Sequence, residues 1–163
     1  MKIVVTDANI FIDLIFLKLH GHLFLLELEV HTTVEVFDEL NDDQQGSLLK
    51  YVKKNNLSLH ARDGEDFPDN IQSKKGLSET DKSVLHLALK IKGFILTGDG
   101  FLRKISDGNK IEVHGIFWLL DKFVEEKHIT KKKACQCITD LMGYNKRLPQ
   151  VECDKRLEDW GKK

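Results

Sequence analysis

Short β-branched runs alternate along the chain with stretches whose apolar residues recur every three or four positions. Lys2–Thr6 predicts a buried strand. From Ala8 to about Leu19, Ile10, Phe11, Leu14, Ile15 and Phe16 fall at helical spacing, and Gly21 stops the helix. His22–Leu28 predicts a second short helix and Glu29–Thr33 a second strand. Helical spacing resumes at Val34, Phe37 and Leu40, with Gly46 expected to kink or divide a stretch that runs on towards Asn55 and Asn56. Leu57–His60 is a weak strand. Arg62–Gly76 is polar and the longest poorly structured stretch, a length that in compact domains tends to mark a lid or mobile segment. Ser78 opens a helix with Val84, Leu85, Ala88, Leu89 and Ile91 on one face, ended by Lys92-Gly93. Phe94–Leu96 and Lys110–Val113 predict two more strands around a short helix at Phe101–Asp107. Further helices are expected at Gly115–Glu126 and Thr130–Tyr144. The tail from Lys146 is polar apart from Leu148, Val151, Leu157 and Trp160. Alternating strands and helices predict an α/β architecture with a mainly parallel sheet covered on both faces. With no internal repeat or linker, residues 1–163 are expected to form one domain.

Composition agrees with a self-sufficient core. A chain of 163 residues hides roughly 70% of the surface its unfolded form exposes, enough to dispense with disulfides or a structural metal. Hydrophobic residues are 41% and charged residues 31%, which excludes disorder. The formal net charge of -1 argues against coating nucleic acid by bulk attraction, yet permits an enzyme that takes one polyanionic strand into a local site. Three cysteines cannot all pair, and Cys135 and Cys137, a CxC pair without a nearby His, point to thiols in a reducing cytosol. Thr6, Asp7, Asn9 and Asp13 interrupt the apolar N-terminus, and no stretch approaches the roughly 18 apolar residues of a membrane span. The expectation is a soluble cytoplasmic protein without a membrane partner.

Candidate chemistry lies in the acids. Sites in open parallel sheets form beyond the carboxyl ends of strands, where strand order reverses. Asp7 follows the first strand and Asp99 follows Phe94–Leu96, while Glu39 (or Glu35) and Asp81 are expected in the first turns of helices. Four carboxylates gathered at one edge would raise one another's pKa, a cost that a hard divalent cation removes; oxygen-only ligation suits Mg²⁺ or Mn²⁺. Such a cation activates water and shields a phosphodiester. Each acid also has a structural role open to it. Asp7 suits a helix N-cap, Thr32-Thr33-Val34-Glu35 and Ser78-Glu79-Thr80-Asp81 read as capping boxes, and Gly98-Asp99-Gly100 is an ordinary turn. Four separate caps need not converge on one edge, so the joint placement carries the argument. The seven histidines are scattered, without an HExxH or a one-faced HxH pattern, and no zinc site is expected.

The series Val-Thr-Asp7-Ala-Asn9-Ile-Phe-Ile-Asp-Leu, Val-Phe-Asp-Glu39-Leu, Leu-Ser-Glu79-Thr-Asp81-Lys-Ser-Val-Leu-His-Leu-Ala and Ile-Leu-Thr97-Gly-Asp99-Gly-Phe-Leu-Arg resembles the PIN-domain nucleases, which include the VapC-type toxins of toxin–antitoxin pairs. The likeness continues into His114-Gly115-Ile116-Phe117-Trp118-Leu119-Leu120 and covers roughly the first 125 residues. Residues 127–163 resemble a helical extension of the same domain. The resemblance implies a three-layer α/β/α sandwich and a Mg²⁺- or Mn²⁺-dependent endoribonuclease, with RNA as substrate and an antitoxin or a second copy as possible partner. It assigns Asp7, Glu39, Asp81 and Asp99 as catalytic, metal-holding acids, Asn9 as a residue that orders the site, and Thr97 as the hydroxyl before the fourth acid. Gly100 stands where many members carry a further acid or Asn, and Glu35 competes for the second position. In-line hydrolysis of this kind leaves a 5′-phosphate and a 3′-hydroxyl.

Lys74, Lys75, Arg103 and Lys104 border the expected pocket and are candidate phosphate contacts, Arg103 first because it follows Asp99 by one turn. A shallow acidic cleft suits single-stranded RNA better than duplex. A competing reading keeps the fold and discards the enzyme. In it, exposed Phe11, Phe16, Leu23, Phe24, Leu25 and Leu26 form a protein-docking face. Phosphotransfer folds fit less well, since Asp7-Ala8-Asn9 lacks both a paired acid and an Asp-x-Asp.

Overall fold

The computed structural model describes residues 1–62, 64 and 66–161. Five parallel strands, β1 (Lys2–Thr6), β2 (Leu28–Thr33), β3 (Leu57–His60), β4 (Phe94–Leu96) and β5 (Val113–His114), stand in the order β3-β2-β1-β4-β5. The chain builds outward from β1 to β3, then returns to pair β4 on the other side of β1. Order therefore reverses between β1 and β4, and the crevice of such a sheet opens there. Right-handed crossovers put the helices of the two halves on opposite faces. The result is a three-layer α/β/α sandwich, as expected.

On one face lie α1 (Ala8–Phe16), α2 (His20–Leu23) and α4 (Asp42–Lys53), joined by α8 (Ile116–Glu125), whose Phe123 ring meets His22. On the other, α6 (Glu79–Ile91) lies across β1, β2 and β4, with α5 (Asp69–Gln72) and α7 (Gly100–Gly108) at its sides. The short α3 (Val34–Glu39) spans the carboxyl edge of the sheet between α1 and α6. Val4, Val5, Ile95 and Leu96 at the sheet centre are fully buried, with Phe11 and Leu14 from α1 and Val84 and Leu85 from α6 packed over them. Lys92, at φ 57°, ends α6 in the left-handed region, and Gly93 lets the chain turn at once into β4: a Cβ there would stand 3.1 Å from the Ile3 carbonyl oxygen.

Several boundaries differ from expectation. The first helix stops at Phe16 because Lys18 adopts φ 59°, so the second begins at His20 rather than His22. Gly46 does not divide its helix. The break falls at Leu40-Asn41, where Asn41 forms a reciprocal capping box with Gln44, and α4 runs unbroken through Gly46. The last strand is two residues, Val113–His114, instead of Lys110–Val113; Lys110 itself takes φ 59°. The polar tail, where apolar spacing marked no helix and only the family resemblance implied a helical extension, contains α10 (Gln150–Gly161), packed on α9 (Lys131–Tyr144). Within the loop expected at Arg62–Gly76, α5 forms one short turn that buries Ile71, while Asp63 and Glu65 lie outside the described residues. The docking face expected on α1 and α2 is largely interior: Phe11, Leu23 and Leu26 are buried and Phe24 stacks on Tyr51, leaving Phe16 (42% exposed) and Leu25 (58%) at the surface. Among the described residues, no helix is long and apolar enough to cross a membrane.

Candidate active site

The site is assembled at the strand-order reversal. Asp7 leaves the carboxyl end of β1 with extended backbone and caps α1, its Oδ1 accepting the Ala8 N–H at 2.8 Å. Thr97 leaves the end of β4, next to β1 in the sheet. Its buried hydroxyl donates to Asp7 Oδ2 at 2.7 Å and accepts the Asp99 N–H at 3.0 Å. One hydroxyl thus ties together two acids that lie far apart in the chain. Asp99 in turn caps α7, with Oδ1 accepting from the N–H groups of Phe101 and Leu102. Asn9 spans the same gap: its Oδ1 accepts the Gly98 N–H at 2.8 Å, and its amide nitrogen stands 3.4 Å from Asp7 Oδ2. The capping roles open to Asp7 and Asp99 are therefore real, and they aim both carboxylates at a common edge.

Asp81 lies in the first turn of α6, where its N–H bonds the Ser78 hydroxyl at 3.0 Å. Glu39 is the last residue of α3 and exposed, not in a first turn as expected. Glu35 is engaged elsewhere, Arg62 Nε donating to its Oε2 at 2.8 Å. The box foreseen at Thr32–Glu35 does not form: Thr33 caps α3 by accepting the Val36 N–H, Val36 has no side-chain acceptor to return the bond, and the Thr32 hydroxyl donates to the Thr6 carbonyl.

Electrostatics link the four acids. Burial pushes the Asp7 carboxyl up to about 6, against the pull of the Thr97 and Ala8 hydrogen bonds, and the charges of Asp81 and Glu39 add to the rise. Asp81 is raised as well, first by burial and then by the negative charge of Asp99, with Glu39 contributing and Ser78 opposing. None of the four forms an ion pair among the described residues. Lys82, buried beside Asp81, pairs with Glu79 at 3.6 Å instead. Also among the described residues, no three His, Cys, Asp or Glu side chains converge tightly enough to ligate one ion. The donor set still fits a hard divalent cation, because it is all oxygen, mutually repelling and uncompensated. Mg²⁺ needs only one or two direct carboxylates when water completes its shell.

Beside the acids a cavity of about 1090 Å³ runs from Asn9, Thr97 and Asp99 towards Trp118 and the α9–α10 connector. Of the expected phosphate contacts, Arg103 lines it, its guanidinium lying so close to Gly115 that a Cβ there would stand 3.2 Å from Nη2. Lys74, Lys75 and Lys104 do not line it. Sequence pattern missed Asp13 on this wall. Asp13 is buried, its carboxyl pushed up to about 6 by burial, and its Oδ2 accepts from the Asn145 amide at 3.2 Å. Its polar character inside an apolar helical stripe was the available signal. A Glu29–His31–His60 chain also escaped notice, with contacts of 2.8 Å on both His31 nitrogens.

The family model DUF3368, described as a PIN domain, matches residues 3–162. One solved structure, a domain of a functionally unknown protein from Methanocaldococcus jannaschii DSM 2661, is similar in fold. It has a TM-score of 0.50 at 19% identity, over 71% of this chain and 91% of that one. No curated protein matches the chain.

Proposed function

The chain belongs to the PIN-domain family, a nuclease-type fold, and from that premise we propose that it is a Mg²⁺- or Mn²⁺-dependent endoribonuclease whose metal-holding acids are Asp7, Glu39, Asp81 and Asp99. The observation that carries this reading is the Thr97 hydroxyl, bonded to the Asp7 carboxylate and the Asp99 N–H at the sheet's strand-order reversal, next to acids that form no ion pair among the described residues. When bound, a divalent cation supplies a more acidic water and a shield for phosphate charge. The chain's own residues do the positioning. Thr97 and Asn9 fix Asp7 in one rotamer, the α7 cap fixes Asp99, and Arg103 meets a phosphate oxygen of the strand entering from the cavity side.

The test is an RNA cleavage assay with Mg²⁺, Mn²⁺ and EDTA arms, run beside Asp7→Asn and Asp99→Asn. Cleavage in the metal arms alone, lost in both variants, supports the assignment; variants that cut as fast as the parent refute it. A second reading, a PIN-like scaffold without catalysis, draws support from the absence of a preformed three-ligand cluster among the described residues. A Mn²⁺ titration separates the two. Binding to the folded state raises the melting temperature with metal concentration, whereas a scaffold without the site shows no such rise.

A further inference from the structure

We propose that the cavity between the acidic edge and the α9–α10 connector seats an unpaired base of the RNA strand, with Tyr144 as a stacking surface and Arg147 as a phosphate contact. This rests on the reading of the chain as an RNA-cleaving enzyme and names the part of the molecule that takes hold of the substrate.

Size comes first. At about 1090 Å³ the space is at the upper end of ordinary ligand pockets, far beyond what a hydrated ion needs, and it is continuous with Asp99. Its aromatic lining suits a base. Tyr144, 47% exposed, is stacked on Phe16 at 3.9 Å and 5°, which holds its ring in a fixed orientation. Across the cavity, Trp118 is held parallel to His114 at 4.6 Å and 15°. Unstacked bases bind proteins on such ring faces with little regard to sequence.

The charges divide into two kinds. Arg156 is occupied: Asp121 (2.9 Å) and Glu152 (2.7 Å) flank it, and it lies over the Phe117 ring, which pins α10 to α8. Arg103, Lys146 and Arg147 also line the cavity and form no ion pair among the described residues. Uncompensated cations therefore border a space whose inner end carries Asp99, the one of the four acids that lines it, itself without an ion pair among the described residues. An acidic peptide would satisfy the cations but leave the rings unused. A strand with phosphates outside and bases inside satisfies both. The connector is held for this role. Asn145 donates to Asp13 on α1 and accepts the Arg147 N–H at 3.0 Å, so α1 fixes the loop that carries Arg147.

The test separates seating from cleavage. In EDTA, a fluorescein-labelled single-stranded RNA 8-mer of mixed sequence is titrated by anisotropy with Asp99→Asn protein, and with the same protein carrying Tyr144→Ala or Arg147→Ala, both surface positions. Each added substitution is expected to weaken binding about tenfold. An abasic strand of the same length should bind Asp99→Asn about tenfold less well and lose nothing more on Tyr144→Ala. In a Trp160→Phe background, where Trp118 is the remaining tryptophan, RNA should quench its fluorescence. Equal binding of abasic and normal strands, unchanged affinity in both added variants, or no binding at all overturns the proposal. Metal-dependent cleavage with a binding pattern that ignores Tyr144 removes the seat and keeps the enzyme. Base-dependent binding without cleavage in any metal keeps the seat and removes the enzyme.

Discussion

Thr97 shows how little separates a structural residue from a functional one. Its hydroxyl is buried between a carboxylate oxygen and a backbone N–H, so Thr97→Val leaves the Asp99 N–H without its acceptor and Asp7 Oδ2 with only the long 3.4 Å contact from Asn9. An unsatisfied buried group costs about 1–3 kcal/mol, which thermal unfolding of the variant should register together with slower RNA cleavage. Asp7 acts in the opposite direction. Its folded-state pKa of about 6 lies above the ordinary 3.8, so between those values the folded form binds more protons than the unfolded one. Stability then falls as pH rises through that window and stays low above it. Asn keeps the cap and removes the charge. Asp7→Asn should therefore melt higher than the parent at pH 7 in EDTA, by an amount on the order of 1–3 kcal/mol, while losing at least about a hundredfold in cleavage rate. A variant that melts lower, or a parent that grows steadily more stable from pH 4 to 6, contradicts this account.

Among elements, the central strands were legible residue by residue, because a parallel strand buried on both faces reads as an unbroken apolar run. Lys2–Thr6 and Phe94–Leu96 coincide with expectation, as does the half-buried edge strand Leu57–His60, which apolar alternation marked more weakly. Helix boundaries were legible where a side chain caps them, at Ser78 and Thr130, and where Gly93 follows Lys92, but the positive φ of Lys18 that stops α1 and that of Lys110 before β5 left no mark in the pattern. Pattern failed on α10 because its amphipathic signal rests on few residues. Cys153 is buried and Leu157 and Trp160 are half-buried, but most of the helix is polar. The order of acids was readable. The hydroxyl bridge, the burial of Lys82 and the cavity wall depend on segments distant in sequence, which no local period records. Arg156 fastens this wall through Asp121. Arg156→Met keeps the side-chain bulk over Phe117 and removes the ion pair. It is expected to loosen α10 selectively, seen as faster hydrogen exchange in residues 150–161 with β1 and β4 unchanged; uniform protection would count against the pin.

At the scale of the whole molecule, a net charge of -1 conceals a local separation of sign. If Arg103, Lys146 and Arg147 each neutralise one phosphate, log affinity for single-stranded RNA should fall with log salt at a slope of about -2; a flat response would remove them as contacts. Metal loading should show the converse sensitivity to protons. Ligating carboxylates must be ionised and Asp7 holds its proton up to about 6, so Mn²⁺-induced stabilisation should be strong at pH 7.5 and fade below pH 6. The strand order has a further effect during synthesis. Asp7 leaves the ribosome early, but its neighbour in the sheet, β4, is translated some ninety positions later. Until that strand emerges and docks, the first carboxylate has neither its hydroxyl tether nor Asp99, the acid that the same strand delivers. The candidate site thus cannot form on a half-made chain, and whatever chemistry it carries waits for the fourth strand to dock.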